Sequence, residues 1–175
     1  MVKKIVFVHG WKSHPEDAWF KWLGQNLRDK GYDVVDPKMS YRDKDIYLWI
    51  DSLEEFVGEL DSDTIFVAHS LGGFVTLKFL EKKLGNRKIK GIILVAPWAD
   101  VKEVINFDLI KSSLNKSVIV FSDNDSHISK EIEKFYGENL GAEVIIQKGM
   151  GHFSTKDSVF ELPIVLQKIE ELYKS

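Results

Sequence analysis

Apolar positions along the chain fall into two alternating patterns. Short β-branched runs read as strands buried on both faces: Lys4–Val8, Thr64–Ala68, Gly91–Val95, Ser117–Phe121 and Glu143–Gln147, with Tyr32–Val35 as a weaker one. Between them, apolar residues recur at helical spacing. Trp19, Phe20, Trp22, Leu23 and Leu27 mark one helix, which Gly31 is placed to stop as a C′ residue. Ile46, Trp49, Ile50, Leu53, Phe56, Val57 and Leu60 mark a second. Further helices are expected from Ser70 to about Leu84, over Ser129–Leu140 and from about Pro163 to Tyr173.

This alternation predicts an α/β fold with a doubly wound, mostly parallel sheet of about six strands and helices on both faces. No internal repeat, low-complexity tract or Gly/Ser/Pro-rich linker interrupts it, so residues 1–175 are expected to form a single domain. In such sheets ligands gather at the carboxyl ends of the strands. Just past the first, third, fifth and sixth strands stand His9-Gly10-Trp11, His69-Ser70-Leu71, Asp123-Asn124-Asp125 and Gly149-Met150-Gly151-His152. A hydroxyl, carboxylates and imidazoles therefore meet at one edge.

Composition narrows the chemistry. With 24 basic against 27 acidic residues and a net charge of −3, the chain has no basic excess, and neither nucleic acid nor an anionic membrane is an expected partner. The absence of Cys excludes disulfides, thiolate nucleophiles and Cys-based metal centres. Apolar runs such as Ile92–Trp98 are far short of the roughly 18 residues of a membrane span. Ile5–Val8, after Lys3 and Lys4, is too short for a signal-peptide core of about 7–15 residues. A soluble, cytoplasmic protein is expected.

Ala68-His69-Ser70-Leu71-Gly72 is a near match to the G-x-S-x-G nucleophile elbow. A Ser hydroxyl is a poor nucleophile unless a sharp strand-to-helix turn presents it to both substrate and base. That turn crowds the positions two before and two after the Ser, where Ala68 and Gly72 are both small. The five residues alone are weak; their placement between a strand and a helix is the context the motif requires. The bland alternative is a Ser that merely caps a helix.

His152 lies in a Gly-rich turn after the last strand, and imidazole supplies a general base near neutral pH. A lone loop His is by default unremarkable, but the chain order Ser…Asp…His is that of the α/β-hydrolases. Two carboxylates, Asp123 and Asp125, stand in the loop between, and spacing alone does not choose between them. The remaining His are expected to be structural or solvated: His69 beneath the turn, His9 at the end of the first strand, His14 and His127 in loops. No H-E-x-x-H or comparable spacing occurs, and no metal is expected. The backbone N–H groups of Leu71 and Trp11 are placed to form an oxyanion hole. Gly10 lacks the further glycines of G-x-G-x-x-G, which argues against a dinucleotide site. Trp98 and Phe153 adjoin the site loops and are candidate pocket residues.

Four segments carry a family resemblance: Val8-His9-Gly10-Trp11 with Trp19-Phe20-Lys21-Trp22-Leu23, Val67–Gly72, Ser122-Asp123-Asn124-Asp125, and Gly151-His152-Phe153 followed by Leu162-Pro163-Ile164-Val165. They make the chain similar to the small α/β-hydrolases that include bacterial YdeN-type proteins and retinoblastoma-binding serine hydrolases. An Ala before the His-Ser pair is habitual there. The resemblance implies a Ser70, Asp125 and His152 triad and an open site without a lid. It places the acid at Asp125 through the pattern Ser122-x-x-Asp125, leaving Asp123 as a solvated loop carboxylate. The Pro that members commonly carry shortly after the acid is missing from Ser126-His127-Ile128-Ser129.

The expected function is a serine hydrolase that cleaves a small carboxylic ester, or a thioester or amide, through an acyl-enzyme, with no cofactor and a small-molecule acyl substrate. The alternatives are a binding or regulatory module on a hydrolase scaffold, or a peptidase acting on short peptides. The sequence names no protein partner.

Overall fold

Strand β1 (Lys4–Val8) lies beside β2 (Asp33–Val35) on one side and β3 (Thr64–His69) on the other; β4 (Ile89–Val95), β5 (Leu114–Ser122) and β6 (Glu143–Gln147) follow, giving the order β2-β1-β3-β4-β5-β6. Every neighbouring pair is parallel, in registers such as Val8 opposite Ala68 and His69 opposite Val95. These relations come from a computed structural model that describes residues 3–37, 39, 45–100 and 102–174. Strand order reverses between β1 and β3, so the loops leaving their carboxyl ends diverge and open a crevice.

Helix α1 (Ala18–Asp29) packs on α6 (Pro163–Lys174) and on β2, while α6 reaches β4; α2 (Ile46–Val57), α3 (Leu71–Lys83), α4 (Phe107–Ser113) and α5 (Lys130–Leu140) contact one another in sequence along the other face. The fold is the expected doubly wound α/β sandwich. β3 is buried at every position, because helices cover both of its faces. β6 departs from that expectation. It is an edge strand whose residues alternate, with Val144 and Ile146 exposed.

Element ends follow local chemistry. The Gly31 N–H donates to Arg28 O and the Tyr32 N–H to Leu27 O, the paired bonds that close α1. α2 stops at Val57 rather than continuing to Leu60. Gly58 adopts φ +65°, which turns the chain out of the helix, and Leu60 is buried from the following loop instead. β5 begins at Leu114, earlier than the apolar run suggests, since Asn115 and Lys116 are exposed yet lie within the strand that pairs with β4. Between β4 and β5 the described residues hold one short helix, α4, and no lid. No helix among the described residues is long and apolar enough to cross a membrane.

Candidate active site

Ser70 sits between β3 and α3 with φ 52° and ψ −122°, a backbone conformation that side-chain-bearing residues adopt only under constraint. The constraint is visible. The Ser70 N–H donates to Val95 O at 3.0 Å, and Ser70 O accepts the N–H groups of Gly73 and Trp98, each at 3.0 Å. Gly72 passes so close to the end of β1 that a Cβ there would fall against the carbonyl oxygens of Val8 and His9. These backbone atoms cannot yield cheaply, so the small residue expected two after the Ser must be Gly. The elbow is thus wedged between β1 and β4.

His152 faces the elbow across the crevice. Its Nε2 lies 2.9 Å from Ser70 Oγ and its Nδ1 2.8 Å from Asp125 Oδ2. An ionised carboxylate only accepts, so Nδ1 carries the proton and Nε2 is left to accept the Ser70 O–H. Asp125 is 2% exposed at its side chain. Its Oδ1 accepts the His127 N–H at 2.7 Å and the Ile128 N–H at 3.3 Å. Burial pushes the carboxyl upward, but the hydrogen bonds from His152 and from these two N–H groups outweigh it and hold it below the usual range.

The loop bearing His152 is anchored one backbone group at a time. The N–H of Gly149 donates to Asp123 Oδ1 (2.8 Å), that of Met150 to Ser122 Oγ (3.0 Å), that of Gly151 to Asn124 Oδ1 (2.8 Å) and that of His152 to Asp157 Oδ2 (3.0 Å). Asp123 is therefore not simply a solvated carboxylate. It holds the His loop, and His152 does not bond to it. Asp157 Oδ2 also accepts the Ser154 N–H and the Ser154 hydroxyl, at 3.1 and 2.6 Å. Burial acts against its ionisation, yet these bonds keep its carboxyl below the ordinary value.

Two further imidazoles flank His152. His69, buried beneath the turn as expected, lies with Nε2 2.9 Å from His152 O. Burial drives its pKa down to about 3, so it is neutral and Nε2–H donates to that carbonyl. His127 is more than the ordinary loop residue its sequence context suggests. Its side chain is 67% exposed, but the ring stacks on His152 with centroids 4.5 Å apart and an interplanar angle of 28°. At the end of β1, His9 is buried, which lowers its pKa, and its Nδ1–H donates to Gly10 O at 2.8 Å. Gly10 O also accepts the Ser13 N–H, at 3.2 Å. In a trans peptide the N–H points opposite the carbonyl, so the Trp11 N–H projects away from His9. A Cβ on Gly10 would lie 3.2 Å from Ser70 Cβ, which places this turn directly against the nucleophile. Leu71 begins α3 immediately after Ser70.

A cleft of about 610 Å³ opens over Ser70 and His152, bordered by Trp11, Lys12, His127 and the segment Phe153–Lys156. The expected pocket residues behave differently. Trp98 does not border this cleft: its ring packs edge-on against Phe74, and its carbonyl accepts the Tyr136 hydroxyl. Phe153 borders the cleft, but its side chain is fully buried and its carbonyl accepts the Trp19 indole N–H. Trp11 is the exposed ring at the mouth. Donor atoms of Asp125, His127 and His152 lie within 4.8 Å of one another, close enough to converge on a cation. In this arrangement, however, Asp125 and His152 bond to each other.

The profile described as serine hydrolase matches residues 5–171. The chain is 27% identical over 179 residues to the YdeN protein of Bacillus subtilis (strain 168), covering 94% of this chain and 93% of that one. Among solved structures it is similar to the ydeN gene product of B. subtilis, with a TM-score of 0.91, 24% identity, and coverage of 99% and 100% of the two chains. It also resembles Est1E from Butyrivibrio proteoclasticus with ferulic acid bound, with a TM-score of 0.70, 14% identity, and coverage of 97% and 87%. These structural likenesses concern the fold.

Proposed function

The chain belongs to the serine hydrolase family, and from that premise we propose that it cleaves small carboxylic esters through an acyl-enzyme on Ser70. The observation that carries the reading is the continuous hydrogen-bonded chain from Ser70 Oγ through His152 to Asp125, at 2.9 and 2.8 Å. Ser70 Oγ attacks the ester carbonyl while its proton passes to His152 Nε2. Asp125, held ionised, stabilises the resulting imidazolium and fixes its tautomer. The N–H groups of Leu71 and Trp11 receive the oxyanion, aided by the N-terminus of α3. The C–O bond to the alcohol then breaks as His152 returns the proton to the leaving oxygen. Water next attacks the acyl carbon, its proton going to His152 and then to Ser70 Oγ, and the carboxylic acid leaves.

The absence of a lid between β4 and β5 among the described residues supports short or end-exposed acyl groups as substrates, with no rate jump at a lipid interface. A panel of p-nitrophenyl esters and aminoacyl amides, run with wild type and Ser70→Ala, tests the reading. Ester turnover that falls about 10³-fold or more in Ser70→Ala supports it. Retained activity, or a preference for amides, contradicts it.

A further inference from the structure

The charges around the cleft favour one class of ester. Its lining includes two lysines, Lys12 and Lys156, and one aspartate, Asp17. Asp17 Oδ2 is engaged by the His14 N–H at 2.8 Å. Among the described residues, neither lysine takes part in an ion pair, whereas Lys78, Lys82, Lys116 and Lys168 elsewhere each pair with carboxylates. Lys12 sits at φ +59°, a conformation uncommon for any residue but glycine, and its ammonium lies 4.3 Å from the centre of the Trp11 ring at the cleft mouth. Lys156 also lines the cleft, on the short 3₁₀ turn Thr155–Asp157 that comes after the His152 loop. Ser13, Ser154 and Thr155 line the same cleft, the Ser154 hydroxyl donating to Asp157 Oδ2. Two lysines outside any ion pair thus line the cleft beside a single lining carboxylate, on a chain whose net charge is −3.

We infer that the site prefers anionic esters, in which a carboxylate carried a few bonds from the scissile carbonyl is met by Lys12 and Lys156. This rests on the acyl-transfer reading above and specifies its substrate class. Opposite charges brought together in a concave site raise both encounter rate and residence, and added salt screens the attraction. Two solvent-exposed attractions of modest size give about a tenfold preference, equivalent to about 1.4 kcal/mol.

The test compares kcat/KM for mono-p-nitrophenyl adipate with that for p-nitrophenyl hexanoate, which matches it in length but is neutral. Adipate is long enough to limit attack by its own carboxylate. A second pair puts the charge on the alcohol, comparing 4-butyryloxybenzoate with its neutral amide analogue, 4-carbamoylphenyl butyrate. An anionic preference near tenfold in either pair, which shrinks in 0.5 M NaCl and approaches unity in Lys12→Ala/Lys156→Ala, supports the inference and shows which side of the bond the lysines serve. Equal or faster turnover of both neutral esters overturns it, while leaving the Ser70 reading intact. If no ester turns over, the Ser70 reading falls instead. Titration of the ¹H–¹⁵N spectrum with monomethyl adipate then decides the charge question: saturable shifts at Gly10–Ser13 and Ser154–Lys156 that vanish in the double variant support the inference, and their absence overturns it.

Discussion

Replacing Asp125 by Asn removes one charge and almost no volume, and the hydrogen bonds around the carboxyl dictate how the site responds. Oδ1 receives two backbone donors, the N–H groups of His127 and Ile128, at 2.7 and 3.3 Å. An Asn amide must keep its oxygen on those donors, which turns its NH₂ toward His152 Nδ1. That nitrogen can then only accept, so the imidazole proton moves to Nε2, the atom 2.9 Å from Ser70 Oγ. The base now presents a donor where it must take a proton. Loss of the correct tautomer in such a triad lowers kcat by about 10⁴, or about 5.4 kcal/mol of transition-state stabilisation. Asp123→Asn is the matched control, because an Asn oxygen there still accepts the Gly149 N–H. We expect its kcat to change by less than about threefold. Steady-state hydrolysis of a p-nitrophenyl ester at pH 7.5, with circular dichroism to verify folding, separates the two. A larger loss in Asp123→Asn than in Asp125→Asn refutes the tautomer argument.

Two other perturbations read the support around the site. His69 has a folded pKa of about 3 against about 6.5 unfolded, so between those values the unfolded chain binds more protons and stability falls on acidification. Urea midpoints should show about 2 kcal/mol less stability at pH 5 than at pH 7, and a smaller difference in His69→Gln; an undiminished difference in the variant would assign the effect elsewhere. Asp157→Ala leaves the His152 and Ser154 N–H groups without their acceptor and should lower kcat several-fold with KM little changed, about 1 kcal/mol. Asp157→Asn, whose oxygen still accepts, should restore most of it.

Much of the fold and site is legible in the chain because burial writes itself into sequence. β1 and β3 are covered on both faces, and their unbroken apolar runs mark them to within a residue. Ser70 and His152 are readable because an elbow demands small neighbours and because both come just after strands. Asn115 and Lys116 hide the start of β5, since pairing there involves backbone and leaves no apolar pattern. The supports of the His152 loop are hidden for the same reason. Ser122, Asp123, Asn124 and Asp157 act by accepting backbone N–H groups, and such acceptors obey no period. The tripeptide Ser122-Asp123-Asn124, three short acceptors in a row beside a Gly-rich loop, is the signal that could expose most of them. His127 leaves no such mark, because its stacking on His152 depends on the path of the loop. Trp98 is misread as a pocket residue because proximity in sequence to a site loop does not fix where a ring points.

An activated Ser70 reacts covalently with electrophilic phosphorus, and labelling measures that without a known substrate. A fluorophosphonate probe should modify the wild-type protein once, with peptide mass spectrometry placing the adduct on Ser70. Labelling should be abolished in Ser70→Ala and strongly slowed in His152→Ala. An adduct on another residue, undiminished labelling of Ser70→Ala, or no reaction of folded wild type would rule out Ser70 as the nucleophile.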